Sequence, residues 1–221
     1  MNYVLAGRTI GQVLGRSGGT ASAVPWWLAG GVDAANAWAV YQPIGAASLA
    51  DSYVNLANPG TYDAAPGVAP TFAAETGWTF AAARSQYLTT GIVPPDSTWT
   101  YICRFSDCTS GQAFGFYASS FVATVFPNAG GYRYYYHPSE RRISGGVLAG
   151  VIGMAAQQGY LNGAADGAAT TGQFLGNTTN QVRIGHANVV YLTGKIQAFA
   201  IYNTTLSAAQ MAAISSAMAA L

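Results

Sequence analysis

The chain carries very little charge. Asp, Glu, Lys and Arg make up only 8% of its 221 residues, whereas a typical globular domain carries about 25%. The formal net charge of +1 gives almost no long-range field, which argues against a dedicated nucleic-acid-binding protein. We therefore expect a neutral surface of small polar, amide and tyrosine side chains. Such a surface suits a glycan-binding face, or a subunit covered by its neighbours in an assembly.

Long apolar runs are also lacking. The best candidate, residues 147–156, is interrupted by two glycines and has the length of a core strand, so no membrane-spanning helix and no membrane partner are expected. The first residues contain glycine and arginine and lack the continuous apolar segment of a secretion signal. We expect synthesis in the cytoplasm without export through such a signal.

Residues that bind metals or form disulfides are scarce. Cys103 and Cys108 lie five positions apart, a spacing that does not establish a bridge, and free, partly buried thiols are expected in a reducing cytosol. The histidines, His137 and His186, do not belong to a cluster of cysteine or acidic residues in the sequence. We therefore predict no metal site and no cofactor.

Short strand-like segments separated by Gly, Asn and Pro occupy most of the chain. Many short strands with such punctuation are typical of a β-sandwich or β-barrel. The predicted strands are residues 78–80, 87–90, 98–105, 112–118, 122–126, 131–137, 147–155, 159–161, 182–185 and 194–202. Residues 33–41 and 46–53 each fit either a short helix or a strand, and residues 58–60 and 65–70 are predicted to be turns and loop.

The spacing of apolar residues changes within the closing segment, residues 194–221. Over residues 194–202, Ile196, Ala198 and Ala200 are expected on one face of a strand, with Phe199 and Ile201 on the other, so both faces are largely apolar. Apolar residues then recur at helical spacing. Ser207 and Gln210 have the spacing of a capping box, which predicts a short C-terminal helix beginning there.

Several motifs precede and include this ending. They are Gly77-Trp-Thr-Phe80, Ser85-Gln-Tyr-Leu88, Gly159-Tyr-Leu-Asn-Gly163, Val182-Arg-Ile-Gly185, Tyr191 with Gly194 and Ile196, Ile201-Tyr-Asn203 and Leu206-Ser207. In this order and spacing, over residues 71–221, they resemble the laminin G-like domains of the concanavalin A-like jelly-roll superfamily. The resemblance implies an all-β fold, a two-sheet antiparallel jelly-roll sandwich, whose usual roles are sugar binding and sugar cleavage.

The same resemblance bears on catalysis and calcium. Glucanases of the superfamily carry a Glu-x-Asp-x-x-Glu cluster on one strand, but the only glutamates here are Glu75 and Glu140, and neither belongs to such a cluster. Laminin G-like domains often hold calcium in a loop, for which Asp166 is a single tempting ligand, and one carboxylate is weak support. We therefore predict no catalytic residue and no metal.

One strand is rich in tyrosine and arginine. Alternation places Arg133, Tyr135 and His137 on one face of it. The opposite face carries Tyr132, Tyr134 and Tyr136, and Arg141 and Arg142 follow after a turn. Tyrosine rings and arginine forks could bind a sugar or form a protein–protein interface. The alternative is a half-buried antiparallel strand rimmed by tyrosines, which β-propensity alone would favour.

The first residues are predicted to differ from the rest. Residues 1–27 are interpreted as an extended N-terminal arm that could add a strand to a neighbour, or alternatively as a disordered leader. Trp26 and Trp27 close this arm and are candidates for assembly contacts. Residues 28–221 are assigned to the jelly-roll domain.

The whole chain, including residues 45–60, also resembles jelly-roll proteins encoded in phage and prophage genomes. This resemblance implies a non-enzymatic virion surface protein, either a capsid decoration or a tail-surface subunit, located on the virion. Its expected partners are other virion proteins, further copies of itself in a homo-oligomer, and possible surface glycans. The alternatives are a free carbohydrate-binding module and, less favoured because the catalytic cluster is missing, a glycoside hydrolase.

Overall fold

The computed structural model describes residues 24–118, 121–187 and 190–221. The predicted N-terminal arm therefore lies, as far as residue 23, outside the described residues. Two α-helices are described, α1 Leu49–Ser52 and α2 Ala208–Ala219. The strands are β1 Ala37–Tyr41, β2 Ala65–Val68, β3 Thr71–Ala73, β4 Gly77–Phe80, β5 Tyr87–Thr89, β6 Thr100–Ser110, β7 Phe114–Ala118, β8 Phe121–Ala129, β9 Tyr132–Tyr136, β10 Glu140–Ser144, β11 Gly150–Ala155, β12 Gln158–Leu161, β13 Ala164–Ala165, β14 Arg183–Ile184 and β15 Thr193–Tyr202.

These strands form two antiparallel sheets. The first sheet has the order β13-β12-β11-β6-β15-β4-β3, and β1 also pairs with β15. The second sheet has the order β10-β9-β8-β7-β14-β5-β2. Neighbours in each sheet are often far apart in sequence, as in a jelly roll, and the predicted fold class is confirmed.

An aromatic core fills the space between the two sheets. Phe199 of β15 stacks against Tyr41 of β1 with 6.4 Å between ring centroids, and it meets Phe114 of the second sheet at 5.0 Å. Trp78 and Tyr101 are also fully buried there. Each buried aromatic ring removes about 150–250 Å² of surface from water, so these rings dominate the energy of packing.

The C-terminal helix covers the outer face of the first sheet. Ser207 caps α2 with both hydrogen bonds of the predicted capping box, in which Ser207 Oγ accepts from the Gln210 amide and Gln210 Oε1 accepts from the Ser207 amide. Met211, Ile214 and Met218 of α2 are completely buried against this sheet. The predicted closing strand and capped helix are thus confirmed.

The predicted faces of the closing strand need one correction. Ile196 lies in the same inter-sheet cluster as Phe199 and Ile201, although strict alternation places it on the opposite face. The pairing of β15 with β6 shifts its register between Ile196 and Ala198. A bulge of this kind inserts one extra residue and reverses the phase of the side chains that follow.

The arm boundary is a second correction. Trp26 and Trp27 lie in a short 3-10 helix, Trp26–Leu28, that packs against α2 within the same chain. Trp26 is only 8% exposed and its indole N–H donates to Gln42 Oε1 at 2.8 Å, while the Trp27 carbonyl accepts from Tyr202 Oη at 2.9 Å. Trp26 and Trp27 therefore belong to the domain, so assigning them to an assembly arm is wrong.

The structure also settles the ambiguous stretches. Residues 33–41 give a 3-10 turn followed by strand β1, and residues 46–53 contain helix α1. The loop predicted over residues 65–70 is partly wrong, because β2 pairs there with β5 at the edge of the second sheet. Pro66 had indicated a loop because proline has no amide hydrogen to donate. An edge strand tolerates such a residue.

Candidate functional site

Among the described residues, α2 leaves the outer face of the second sheet uncovered, and we call this surface the open face. The contacts of α2 fall on strands of the first sheet and on the 3-10 helix around Trp26. On the second sheet, Tyr117 is 47% exposed and Phe126 is half-buried. We therefore regard the outer face of the second sheet as the candidate ligand-binding surface.

Three tyrosines form a row on this face, which we call the tyrosine ladder: Tyr132, Tyr134 and Tyr136 of β9. Ring centroids are 6.3 Å apart between Tyr132 and Tyr134, and 6.2 Å apart between Tyr134 and Tyr136, the second pair being nearly parallel at 15°. All three side chains are half-buried. Because β9 alternates strictly, their rings share one face and present a continuous aromatic strip.

Two neighbouring strands hold the ladder in place. Phe126 of β8 contacts Tyr134 and Tyr136 with centroid distances of 5.8 and 6.0 Å. On the other side, Arg142 of β10 is paired with Tyr134, and its Cζ atom lies 3.5 Å from the centroid of the Tyr132 ring. An aromatic contact and a cation–π contact thus fix the orientation of the rings without a ligand.

The carboxylate of Glu140 is hydrogen-bonded to the last tyrosine of the ladder. Tyr136 Oη donates a hydrogen bond of 2.5 Å to Glu140 Oε2. Partial burial of the ring, followed by this bond to the Glu140 carboxylate, raises the pKa of Tyr136 above its ordinary value. The Tyr136 hydroxyl therefore stays protonated at neutral pH and remains a hydrogen-bond donor.

A second aromatic group lies further along the same sheet. Tyr87 of β5 contacts His186 and Tyr191, with centroid distances of 5.5 and 6.3 Å. Arg183 of β14 lies 5.4 Å from the Tyr87 ring. Leu88 and Ile184, the core-facing neighbours of Tyr87 and Arg183, are fully buried, so by alternation Tyr87 and Arg183 face outward.

The structure divides the residues predicted for the tyrosine strand. The two faces were predicted correctly, but Arg133, Tyr135 and His137 turn inward and are 9%, 0% and 0% exposed. Assigning these three as direct ligand contacts is therefore corrected, because the facing sheet covers them. Tyr132, Tyr134 and Arg142 keep the predicted role as a proposal, and Arg141 lies on the opposite face of β10 from Arg142.

The inward residues form a buried ionic cluster. Arg133 makes a two-pronged contact with Asp166, with Nε–Oδ2 at 2.6 Å and Nη2–Oδ1 at 2.8 Å, and Tyr135 Oη donates to the same carboxylate at 2.7 Å. Burial opposes ionisation of Asp166. The hydrogen bonds from Arg133 and Tyr135 and the charge of Arg133 outweigh it and hold the pKa of Asp166 below its ordinary value.

This cluster bears on the metal prediction. Both carboxylate oxygens of Asp166 already accept hydrogen bonds from protein groups, so the carboxylate is not preorganised for calcium. Within the described ranges, no three His, Cys, Asp or Glu side chains come together in a way that could hold a metal ion. The absence of a metal stays a prediction.

The imidazole ring of His137 is fully buried. Neither ring nitrogen has a hydrogen-bond partner among the described residues, and the ring meets Phe174 edge-on at 5.2 Å. Burial lowers the pKa of His137 to about 4, against a smaller opposing effect from the charge of Asp96. The imidazole is thus neutral at pH 7 and serves as part of the packing.

The two thiols are free and buried. Burial, with a smaller effect from Cys108, raises the pKa of Cys103, and burial raises that of Cys108 to about 12. Both thiols are therefore protonated and unreactive at neutral pH.

No helix in the described part of the chain is long and apolar enough to cross a membrane.

Phe126, Tyr117 and Tyr87 were missed as members of the open face. Their signal was present, because each alternates with residues that are now seen in the core. The sequence did not reveal the strand order, which brings β5, β7, β8 and β9 into one sheet.

A family model described as the concanavalin A-like lectin/glucanases superfamily matches residues 93–212, more than half of the chain. It covers β9 and β10, and with them the tyrosine ladder. No curated protein sequence matches the chain.

Solved structures show the same fold at low identity. A mutant of Trypanosoma rangeli sialidase displaying trans-sialidase activity matches 84% of this chain and 33% of its own, with 13% identity and a TM-score of 0.56. The receptor-binding domain of botulinum neurotoxin type G matches 80% of this chain and 50% of its own, with 10% identity and a TM-score of 0.53. The chain thus spans about a third of the length of the sialidase, and at such identities the likeness concerns the fold alone.

Proposed function

We propose, since the chain belongs to the concanavalin A-like lectin/glucanases superfamily, that it is a non-catalytic glycan-binding protein. It binds its ligand on the open face of the second sheet. The observation that carries this proposal is the tyrosine ladder, preformed on the sheet face that α2 leaves uncovered.

The ladder offers the chemistry that a neutral sugar requires. A tyrosine ring presents a flat apolar face that can pack against the C–H groups of a sugar ring, and its hydroxyl can exchange hydrogen bonds with sugar hydroxyls. Arg142 adds guanidinium donors at the Tyr132 end of the ladder. The rings are already held in position by one another and by Phe126. Ligand binding therefore costs little side-chain entropy.

The acidic groups favour binding over cleavage. Glycoside hydrolysis normally uses two carboxylates about 5–9.5 Å apart across the scissile bond. Among the described residues, the carboxylate that contacts the ladder is Glu140, and its Oε2 is occupied by the Tyr136 hydroxyl. Asp166, the carboxylate beneath β9, is turned inward and paired with Arg133.

We further propose that the setting is a virion surface, where the domain acts as a capsid decoration or tail-surface subunit. The very low charge of the chain supports this, since a neutral surface suits contact with neighbouring subunits. The tyrosine and arginine side chains of the open face would serve such contacts as well, because both residue types are enriched at protein interfaces.

A glycan array tests the glycan-binding proposal. The wild-type protein is expected to bind a restricted set of neutral glycans, and Tyr134→Ala is expected to lose that binding while keeping the melting temperature of the fold. Absence of binding to every glycan would rule out the proposal. Co-sedimentation with the parent particle tests the setting, and a protein that stays monomeric and ignores the particle would rule out the virion role.

A further inference from the structure

A cavity lined by residues other than those of the tyrosine ladder lies beside β1. Its volume is about 450 Å³, within the range of about 300–1,000 Å³ that is usual for small-molecule sites. Trp38, Asn58, Thr61 and Tyr62 line it together with four alanines. It is formed by the 3-10 turn Ala34–Asn36, the start of β1 and the loop that follows α1, and it shares no residue with the tyrosine ladder.

Two aromatic rings, those of Trp38 and Tyr62, form one wall of this cavity. Trp38 is half-buried and lies 5.9 Å from Tyr62 between ring centroids, with a tilt of 31°. Behind it, Trp99 meets Trp38 edge-on at 5.7 Å. Trp38 is thus held by the core on one side and faces the cavity together with Tyr62 on the other.

A buried asparagine shapes the loop that completes the cavity. Asn55 is fully buried, and its Oδ1 accepts hydrogen bonds from the amides of Val40 and Ala57 at 2.9 and 3.1 Å. Its Nδ2 donates to the carbonyls of Trp38 and Thr61 at 3.1 and 2.8 Å. One side chain therefore ties the strand that carries Trp38 to both arms of the loop, which fixes the width of the cavity.

Tyr62 is held in an unfavourable backbone conformation. Its φ of 59° lies in the left-handed region, which an aromatic residue rarely adopts and which persists only where the surroundings enforce it. Here Tyr41 Oη donates to the Tyr62 carbonyl at 2.5 Å. The ring of Tyr62 stays 38% exposed, so the strained backbone turns a large ring toward the cavity instead of burying it.

The polar groups of the cavity are uncharged and available. Asn58 and Thr61 are exposed, and neither side chain makes a hydrogen bond within the described ranges. No residue lining the cavity is charged. The ligand best matched by two aromatic faces, a free amide and a free hydroxyl is a neutral ring that carries several hydroxyl groups.

We propose that this cavity is a second binding site, which takes a single neutral sugar ring against Trp38 and Tyr62. The ring packs its apolar face on the indole and the phenol, while Asn58 and Thr61 exchange hydrogen bonds with its hydroxyls. The site is independent of the tyrosine ladder, so it stands or falls separately from the proposed function.

Tryptophan fluorescence titration with a panel of neutral monosaccharides tests the site. The titration is done in a Tyr134→Ala background, so that the ladder does not contribute. Tyr62→Gly removes the ring but relieves the left-handed backbone, so the variant is expected to fold. Asn58→Ala removes an exposed amide. Leu56→Ala, in the same loop but outside the cavity lining, is the matched control.

The expected result is saturable binding of at least one sugar, weakened about tenfold or more by Tyr62→Gly and by Asn58→Ala and unchanged by Leu56→Ala. Absence of binding up to the solubility limit of every sugar would overturn the proposal. Binding that survives both substitutions unchanged would also overturn it, because the sugar would then sit elsewhere. If Tyr62→Gly fails to fold, the Asn58→Ala result alone decides.

Discussion

Arg142 lies over the ring of Tyr132, with 3.5 Å between the guanidinium carbon and the ring centroid. The same guanidinium carbon is 5.7 Å from the ring of Tyr134. β10 thereby anchors the first two rungs of the ladder from the side. This contact connects the edge strand β10 to the proposed binding face. Arg142 itself is exposed and is not part of the core.

Replacing Arg142 with alanine should weaken glycan binding without unfolding the protein. An exposed cation–π contact contributes about 0.5–1 kcal/mol, so we expect a loss of about two- to fivefold in affinity by calorimetry. Arg142→Lys should retain part of the affinity, since it keeps the charge but not the planar fork. Unchanged affinity in Arg142→Ala would show that the guanidinium does not order the ladder.

Removal of the Asp166 carboxylate should destabilise the fold strongly. Asp166→Ala leaves Arg133 charged and unpaired in a site where both side chains are only 11% exposed. Breaking one partner of a buried pair costs about 3 kcal/mol, which should appear as a large drop in the urea midpoint.

A double variant provides the control for this prediction. Arg133→Met with Asp166→Leu removes both charges and should recover much of the lost stability, since apolar replacement of a buried pair is often near neutral. Tyr135 Oη would keep a second acceptor, the Tyr160 carbonyl at 3.3 Å. If the double variant is as unstable as the single one, the ion pair is not the source of the effect.

Stability should fall on mild acidification because of His137. Its pKa is about 4 in the folded protein and 6.5 ordinarily, so between these pH values the unfolded chain binds more protons than the folded one. Unfolding free energy therefore decreases as the pH falls through this window, by an amount on the order of 3 kcal/mol.

The comparison variant is His137→Leu. Its unfolding free energy should depend much less on pH between pH 6.5 and 4. Any contribution from the lowered pKa of Asp166 is lost only at more acidic pH. Equal slopes for wild type and variant in urea titrations would mean that His137 is not the titrating group.

The C-terminal helix should contribute substantially to stability. Ile214→Ala opens a cavity between α2 and the first sheet, where Ile214 is fully buried, and should cost about 2–5 kcal/mol. Ser216→Ala, on the exposed side of the same helix, should change the unfolding free energy by no more than about 0.5 kcal/mol. A similar cost for both variants would contradict the packing of α2 on the sheet.

The local parts of the fold could be predicted from the sequence because their signals are short-range. The capping box of Ser207 and Gln210 formed as expected. Asn162 and Gly163 both adopt positive φ and join β12 to β13, as is typical of an Asn-Gly pair between two strands. The alternation that separates Tyr134 from Tyr135 also held.

The sequence could not predict which of the two faces of β9 points into the core. Alternation distinguishes two faces of a strand, but tyrosine and arginine occur on both faces of β9. The inward turn of Arg133 is compensated by Asp166, which is distant in sequence and meets it only through the folded sheet. Trp26 was misassigned for the same reason, since its contacts with α2 come from the far end of the chain.

The most direct measurement of the central claim is nuclear magnetic resonance of backbone amides during titration with a glycan selected on the array. If the open face of the second sheet binds the glycan, the shifted amides should cluster on β8, β9 and β10 around the tyrosine ladder, and Tyr134→Ala should abolish the shifts. If the shifted amides lie instead on α2 or on strands of the first sheet, and those of β8 to β10 do not move, the claim is contradicted.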